Sequence, residues 1–269
     1  MSEIFHRLHG RISGTGGATV VLGHGFGTDQ TAWDAVRPWL EARFRVVSFD
    51  MAGAGPDGAA SYTPKRYGSL FGYADDLLAV IGELGLERFA YIGHSVGCMI
   101  GVAAAVTRPD PFQRLLLVGG SPRYLNEPGY VGGFDQADLD GVYDGMAANF
   151  QAWAAGFVPL VVGVPDNPAI DEFSRTLFLM RPDIALNTAR TIFQSDMRDA
   201  ARRLERPIHI VQTQRDMAVP TEVAQWLHKH VERSTLDIID AEGHVPHMTA
   251  PDQIIAMFEK HLTPALAPA

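Results

Sequence analysis

The sequence is short of several things, and each absence excludes something. Its 269 residues include one cysteine, Cys98. One thiol excludes an intramolecular disulfide framework and a multi-cysteine metal site. Long apolar runs are also missing. The most apolar stretch, 157–164, is too short to span a bilayer. The first ten residues lack the apolar core of a signal peptide, so a cytoplasmic protein with no membrane partner is expected. Positive charge is scarce. There are 22 Lys and Arg against 31 Asp and Glu, for a net charge of −9. No basic cluster is interleaved with aromatics, so nucleic acid is not an expected partner. The run Gly14–Gly17 lacks the lysine and spacing of a phosphate-binding loop. No metal-ligand spacing is evident, so neither a metal nor a cofactor is expected.

What is present is ordinary for a globular chain, with 46% apolar and 20% charged residues. The length suits one large α/β domain, or one domain carrying a sizeable insertion. The last residues, Thr263–Ala269, read as a frayed tail. Continuous β-branched and aliphatic runs at 19–22, 46–49, 89–92 and 115–118 read as strands buried on both faces. Helical patterns separate them, one with Trp33, Val36 and Leu40 on a face, another over 73–84 with a stop at Gly85. Alternating strands and helices imply parallel β-α-β units. From about Pro122 to Arg198 the rhythm breaks into several helices rich in aromatics. Strands resume at 208–212 and 236–239, with helices near 223–230 and 251–262. The core is therefore assigned to 1–121 and 199–269, and a helical lid to 122–198.

Chemistry concentrates at Gly93-His94-Ser95-Val96-Gly97. The G-x-S-x-G pattern lifts a serine out of a sharp strand-to-helix turn. With glycine at this frequency, a given serine is flanked this way by accident about one time in a hundred. Here a strand precedes the motif and a helix follows it, at the carboxyl end of a central strand where open α/β sheets bind ligands. A serine hydroxyl needs a base and a group to orient that base. Asp216 and His244 each lie just after a later strand, in the chain order Ser, Asp, His. His247 competes for the base role. His244 is favoured because Gly243 lets the backbone swing its ring toward Ser95. Asp237 and Asp240 read as surface carboxylates, and His209, His228, His230 and His261 as solvated surface or strand residues. The oxyanion donors are expected to be the N–H groups of Val96 and Phe26. His24 is expected to hydrogen-bond within its own loop. Cys98 reads as a buried packing residue. The aromatics Phe26, Phe134, Trp153, Phe157, Phe173 and Phe193 are candidates to line an apolar cavity over Ser95, and Met217 and Val219 are placed in the same lining.

Gly23-His-Gly-Phe-Gly27 and Gly93-His-Ser-Val-Gly97, with Ser121-Pro-Arg-Tyr-Leu-Asn126, Gly132-Gly-Phe-Asp135 and Glu242-Gly-His-Val-Pro-His247, resemble one branch of the α/β hydrolases. That branch holds the bacterial stress regulator RsbQ and the plant karrikin and strigolactone receptors, and the likeness runs nearly the whole chain. The Ala- and Arg-rich composition suggests a bacterial member. The resemblance implies an α/β-hydrolase fold with a four-helix, V-shaped lid. It places the triad on Ser95, Asp216 and His244, the oxyanion donors on Phe26 and Val96, and pocket aromatics on the six named above. The expected activity is hydrolysis of a small apolar ester or lactone, butenolides included. The alternative is ligand sensing coupled to a signalling protein partner such as a phosphatase. One departure is Gly97, where the plant receptors tend to carry serine and RsbQ carries glycine.

Overall fold

The computed structural model describes residues 3–55 and 57–262. The expected tail from Thr263 lies outside the described residues. Seven strands form one sheet in the order β1-β3-β2-β4-β5-β6-β7. They are β1 (Arg11–Ser13), β2 (Thr19–Gly23), β3 (Arg45–Ser48), β4 (Phe89–His94), β5 (Phe112–Val118), β6 (Ile208–Arg215) and β7 (Ser234–Glu242). All neighbours pair in parallel except β1 with β3. The sequence pattern missed β1, together with the short helix α1 (Glu3–Arg7). Both are brief, and β1 is a mostly exposed edge strand, so neither leaves an apolar period to read.

Helices cover both faces because successive strand side chains alternate between them. On one face Val20, Leu22, Val46, Leu116 and Val118 pack against Leu40 of α2 (Arg37–Glu41) and Ile254 and Phe258 of α12 (Pro251–His261). The other face packs Val21, Val47, Leu115 and Leu117 against α3 (Leu70–Glu83), α4 (Val96–Thr107) and α10 (Thr221–His230). The region expected to be one helix around Trp33 is instead a 3-10 turn, Gln30–Trp33, followed by α2. Pro38 near the start of α2 explains the break, since proline suits the first helical turn.

Between β5 and β6 the chain leaves the sheet. It forms α5 (Gln136–Ala148), α6 (Phe150–Val162), α7 (Ala169–Leu179) and α8 (Pro182–Phe193), then returns through α9 (Arg198–Arg202). Helix α6 packs on α7 and on α5, and α5 packs on α8. Each start has a local cause: a capping box at Asp135 for α5, an Asn149 side-chain cap for α6, and Pro182 in the first turn of α8. The short α11 (Pro246–Thr249) follows β7. No described helix is long and apolar enough to cross a membrane.

One expectation fails at the amino-terminal edge of the sheet. His209 is buried, not solvated, and His261 stacks on it. Asp237 is partly covered beside them and pairs with Lys260 and His261. His209, Asp237 and His261 follow one another at spacings of 28 and 24 positions, so only the packing of α12 across β6 and β7 brings them together.

Candidate active site

Strand β4 runs directly into the turn at Ser95, and α4 starts at the next residue. Ser95 takes φ +54°, ψ −123°, a conformation that costs a non-glycine residue about 1–3 kcal/mol. Two contacts hold it there. The Ser95 N–H donates to the Val118 carbonyl at 2.9 Å. Gly97 lies so close to β2 that a Cβ would stand 2.6 Å from the carbonyl oxygens of Gly23 and His24. The turn therefore needs glycine there.

Three side chains meet at the carboxyl end of the sheet. His244 Nε2 is 2.8 Å from Ser95 Oγ, and His244 Nδ1 is 2.7 Å from Asp216 Oδ2. A carboxylate accepts only, so Nδ1 carries the proton and Nε2 presents its lone pair to the serine hydroxyl. Asp216 is fully engaged. Oδ1 accepts the N–H groups of Ala218 and Val219 at 2.8 and 3.0 Å, and Oδ2 also accepts Gln212 Nε2 at 3.1 Å. Burial pushes this carboxyl upward, but the adjacent His244 ring and the two backbone donors outweigh it, leaving Asp216 below its ordinary value. His247, the rival base, is wholly buried between Trp33 and His94, and neither ring nitrogen has a hydrogen-bond partner among the described residues. Burial, then the neighbouring His244, pushes it down to about 3.

The backbone of His244 is gripped at both ends. Its N–H donates to the Val161 carbonyl of α6 at 2.8 Å. Its carbonyl accepts His94 Nε2–H at 2.7 Å. His94 is buried, and burial holds it well below its ordinary value, so its ring stays neutral beside His244. Sequence reasoning passed over His94 and Val161 in this role. His94 lies inside the serine motif, which could have drawn notice; the Val161 contact has no sequence signal.

The N–H groups of Phe26 and Val96 have no hydrogen-bond partner among the described residues. His24 behaves as a loop brace: its Nε2 accepts the Met51 N–H at 2.8 Å, so Nδ1–H donates to the Gly25 carbonyl at 2.9 Å. Cys98 is buried in α4, and burial pushes its thiol far up, away from thiolate chemistry.

A cavity of about 370 Å³ opens in front of Ser95 and His244. Phe26, Phe134, Trp153, Phe157, Phe173, Phe193 and Met217 line it, with Val142, Leu160 and Ile192 adding aliphatic surface. Val219 does not. The chain turns after Asp216 so that the Val219 N–H caps the carboxylate, which sends its side chain wholly into the core, and Ala218 takes the wall instead. Tyr124 is a wall residue the sequence reading did not single out. It is buried and lines the same cavity as Ser95. Trp153 and Phe157 stack with centroids 4.6 Å apart, and Phe134 and Phe193 meet edge to face at 5.8 Å.

A family model described as "Alpha/beta hydrolase family" matches residues 20–257. This chain belongs to the alpha/beta hydrolase family. It is 47% identical to a probable esterase of Oryza sativa subsp. japonica, over 97% of this chain and 96% of that one. It is 42% identical to a strigolactone esterase of Arabidopsis thaliana, over 97% and 98%. Among solved structures, a hydrolase from Oleispira antarctica superposes with a TM-score of 0.91 at 34% identity, covering 96% of this chain and 97% of its own. This α/β hydrolase therefore shares sequence with proteins named as esterases along nearly its whole length.

Proposed function

We propose that this α/β hydrolase cleaves a small, mostly apolar ester or lactone through an acyl-enzyme on Ser95. The observation that carries the reading is the Asp216–His244–Ser95 chain, at 2.7 and 2.8 Å, facing an open apolar cavity. Ser95 Oγ attacks the carbonyl carbon while its proton passes to His244 Nε2. Asp216 orients the ring and stabilises the imidazolium. The amides of Phe26 and Val96 hold the oxyanion. As the carbon–oxygen bond breaks, His244 returns the proton to the leaving oxygen. Water, deprotonated by His244, then attacks the acyl carbon, and His244 returns that proton to Ser95 Oγ as the acyl–oxygen bond breaks.

The cavity wall supports the substrate class. Among the described residues it carries no Lys, Arg, Asp or Glu side chain, so a charged substrate would lose its hydration without a partner. Its volume sits at the small end of ligand pockets. A butenolide ring, the lactone chemistry suggested by a relative named as a strigolactone esterase, fits these terms. In this reading residues 122–198 act as a lid, and the reaction takes place in the cytoplasm. A fluorophosphonate probe tests the assignment. It is expected to label the wild type and not Ser95→Ala; equal labelling of both would remove Ser95 from the mechanism.

A second reading, ligand-dependent docking of a signalling protein, is favoured by one feature. Leu160 and Met217 line the cavity yet are 61% and 45% exposed, so a ligand at the mouth alters an apolar outer surface. Pull-downs with and without a butenolide ester distinguish it: ligand-dependent capture supports docking, and identical captures remove it.

A further inference from the structure

A second group of side chains converges at the opposite end of the sheet. His209 is the second residue of β6, whereas Asp216 follows the last residue of that strand. Seven residue steps along the strand separate the two by roughly 23 Å. His209 from β6, Asp237 from β7 and His261 from α12 each offer one ligand atom, and these atoms lie within 4.8 Å of one another. His209 Nε2 is 3.2 Å, and His261 Nε2 3.1 Å, from the same oxygen, Asp237 Oδ2.

We propose that His209, Asp237 and His261 form a binding site for a divalent transition-metal ion, with Zn²⁺ the best chemical match. Two imidazoles and one carboxylate are a borderline-soft donor set suited to Zn²⁺ and poorly suited to Mg²⁺ or Ca²⁺. Two further observations point to a ligand. His209 is 3% exposed, and among the described residues its buried Nε2 makes no well-directed hydrogen bond, with Asp237 Oδ2 at 3.2 Å lying off the line of an N–H, an arrangement that is costly unless something else satisfies the nitrogen. The other nitrogen of the same ring is already held: His209 Nδ1 lies 2.5 Å from Thr235 Oγ1. That contact fixes the ring and aims Nε2 at the cluster, as outer partners of metal-binding histidines do.

Binding requires two local adjustments. Lys260 Nζ sits 2.8 and 2.9 Å from the Asp237 oxygens and must release them, which its half-exposed side chain permits. The two imidazoles lie face to face with centroids 3.2 Å apart, so their lone pairs run side by side. His261 ends α12, and a tilt of its ring brings the two lone pairs onto one point. Arg114 Nη1 donates to the His261 carbonyl and anchors that end of the helix while the ring moves. The bound ion would tie α12 to β6 and β7, away from the Ser95 cavity.

Isothermal titration of untagged, chelator-stripped full-length protein with ZnCl₂ tests the site. About one Zn²⁺ per chain is expected. His261→Ala should weaken it more than 100-fold, and Thr235→Val about 10–100-fold. Lys260→Ala should tighten it, because the competing cation is gone. Zn²⁺ should raise the melting temperature of the wild type but not of His261→Ala, with ester hydrolysis unchanged in both. No saturable binding, or equal affinity in wild type and His261→Ala, would overturn the proposal. So would weaker binding in Lys260→Ala, which would mean that the cluster is an ion-pair network only.

Discussion

Replacing Asp216 with asparagine should disable the site by reversing one hydrogen. Asp216 accepts four hydrogen bonds: two from backbone N–H groups on Oδ1, and two from His244 and Gln212 on Oδ2. In Asp216→Asn the amide oxygen must stay on the backbone donors of Ala218 and Val219. The NH₂ group therefore faces His244. Gln212 offers no relief, because its Nε2 also donates to the Val219 carbonyl at 2.9 Å and is pinned as a donor. The His244 ring can meet the new NH₂ only by accepting at Nδ1, which moves its proton to Nε2. That proton points at Ser95 Oγ, and the lone pair needed to deprotonate the serine is gone. Loss of the correct tautomer and of the counter-charge to the imidazolium lowers kcat by about 10⁴-fold in serine hydrolases of this type, or roughly 5.4 kcal/mol of barrier. The assay is hydrolysis of p-nitrophenyl acetate, with circular dichroism to show that the variant is folded. An Asp216→Asn protein within tenfold of wild-type kcat would refute the reasoning, since His244 would then not depend on Asp216 for its tautomer.

Three further outcomes follow from the geometry. Gly243 has φ +83°, and a Cβ there would overlap the Val162 carbonyl oxygen. Gly243→Ala should therefore cost at least about 3 kcal/mol, a fall of roughly 6–12 °C in Tm by calorimetry, with kcat reduced because His244 is displaced. Trp153→Ala removes one half of the stack with Phe157. KM for a bulky apolar ester should rise about tenfold while kcat on an acetyl ester stays within about threefold, the scale of one aromatic pair. Asp216 has a lowered folded value, so its contribution to stability is fully present above the unfolded carboxylate range near 3.9 and is lost as pH falls through the folded value. Acid unfolding curves recorded from pH 5 downward should thus be less steep for Asp216→Asn than for wild type.

Much of the site is legible in the sequence because its signals are local. The strand, the turn at Ser95 and the helix behind it are contiguous, and the two flanking glycines mark the turn. Asp216 and His244 are legible through order, each falling just past a strand that reads clearly. The failures share a cause. Whether Val219 faces the cavity depends on how the turn after Asp216 caps the carboxylate, and alternation along the chain cannot show that. His209 is buried only because the end of α12 crosses β6 and β7. The grips on His244 by Val161 and His94 span 83 and 150 positions, and they arise from tertiary packing alone.

The excursion between β5 and β6 has a consequence for how such proteins diversify. These strands are hydrogen-bonded neighbours, yet about 90 residues separate Val118 from Ile208. For a flexible connection, closing 90 residues rather than 30 costs only about 1 kcal/mol more in chain entropy. Length in this segment is thus nearly free, while the triad sits on strand ends that do not move with it. Insertions, deletions or wholesale exchange of the four helices can reshape what enters the cavity, provided that a carbonyl remains where Val161 now meets the His244 N–H. Selection for a new substrate can act largely on this one segment, while the Val161–His244 backbone hydrogen bond keeps it coupled to the base.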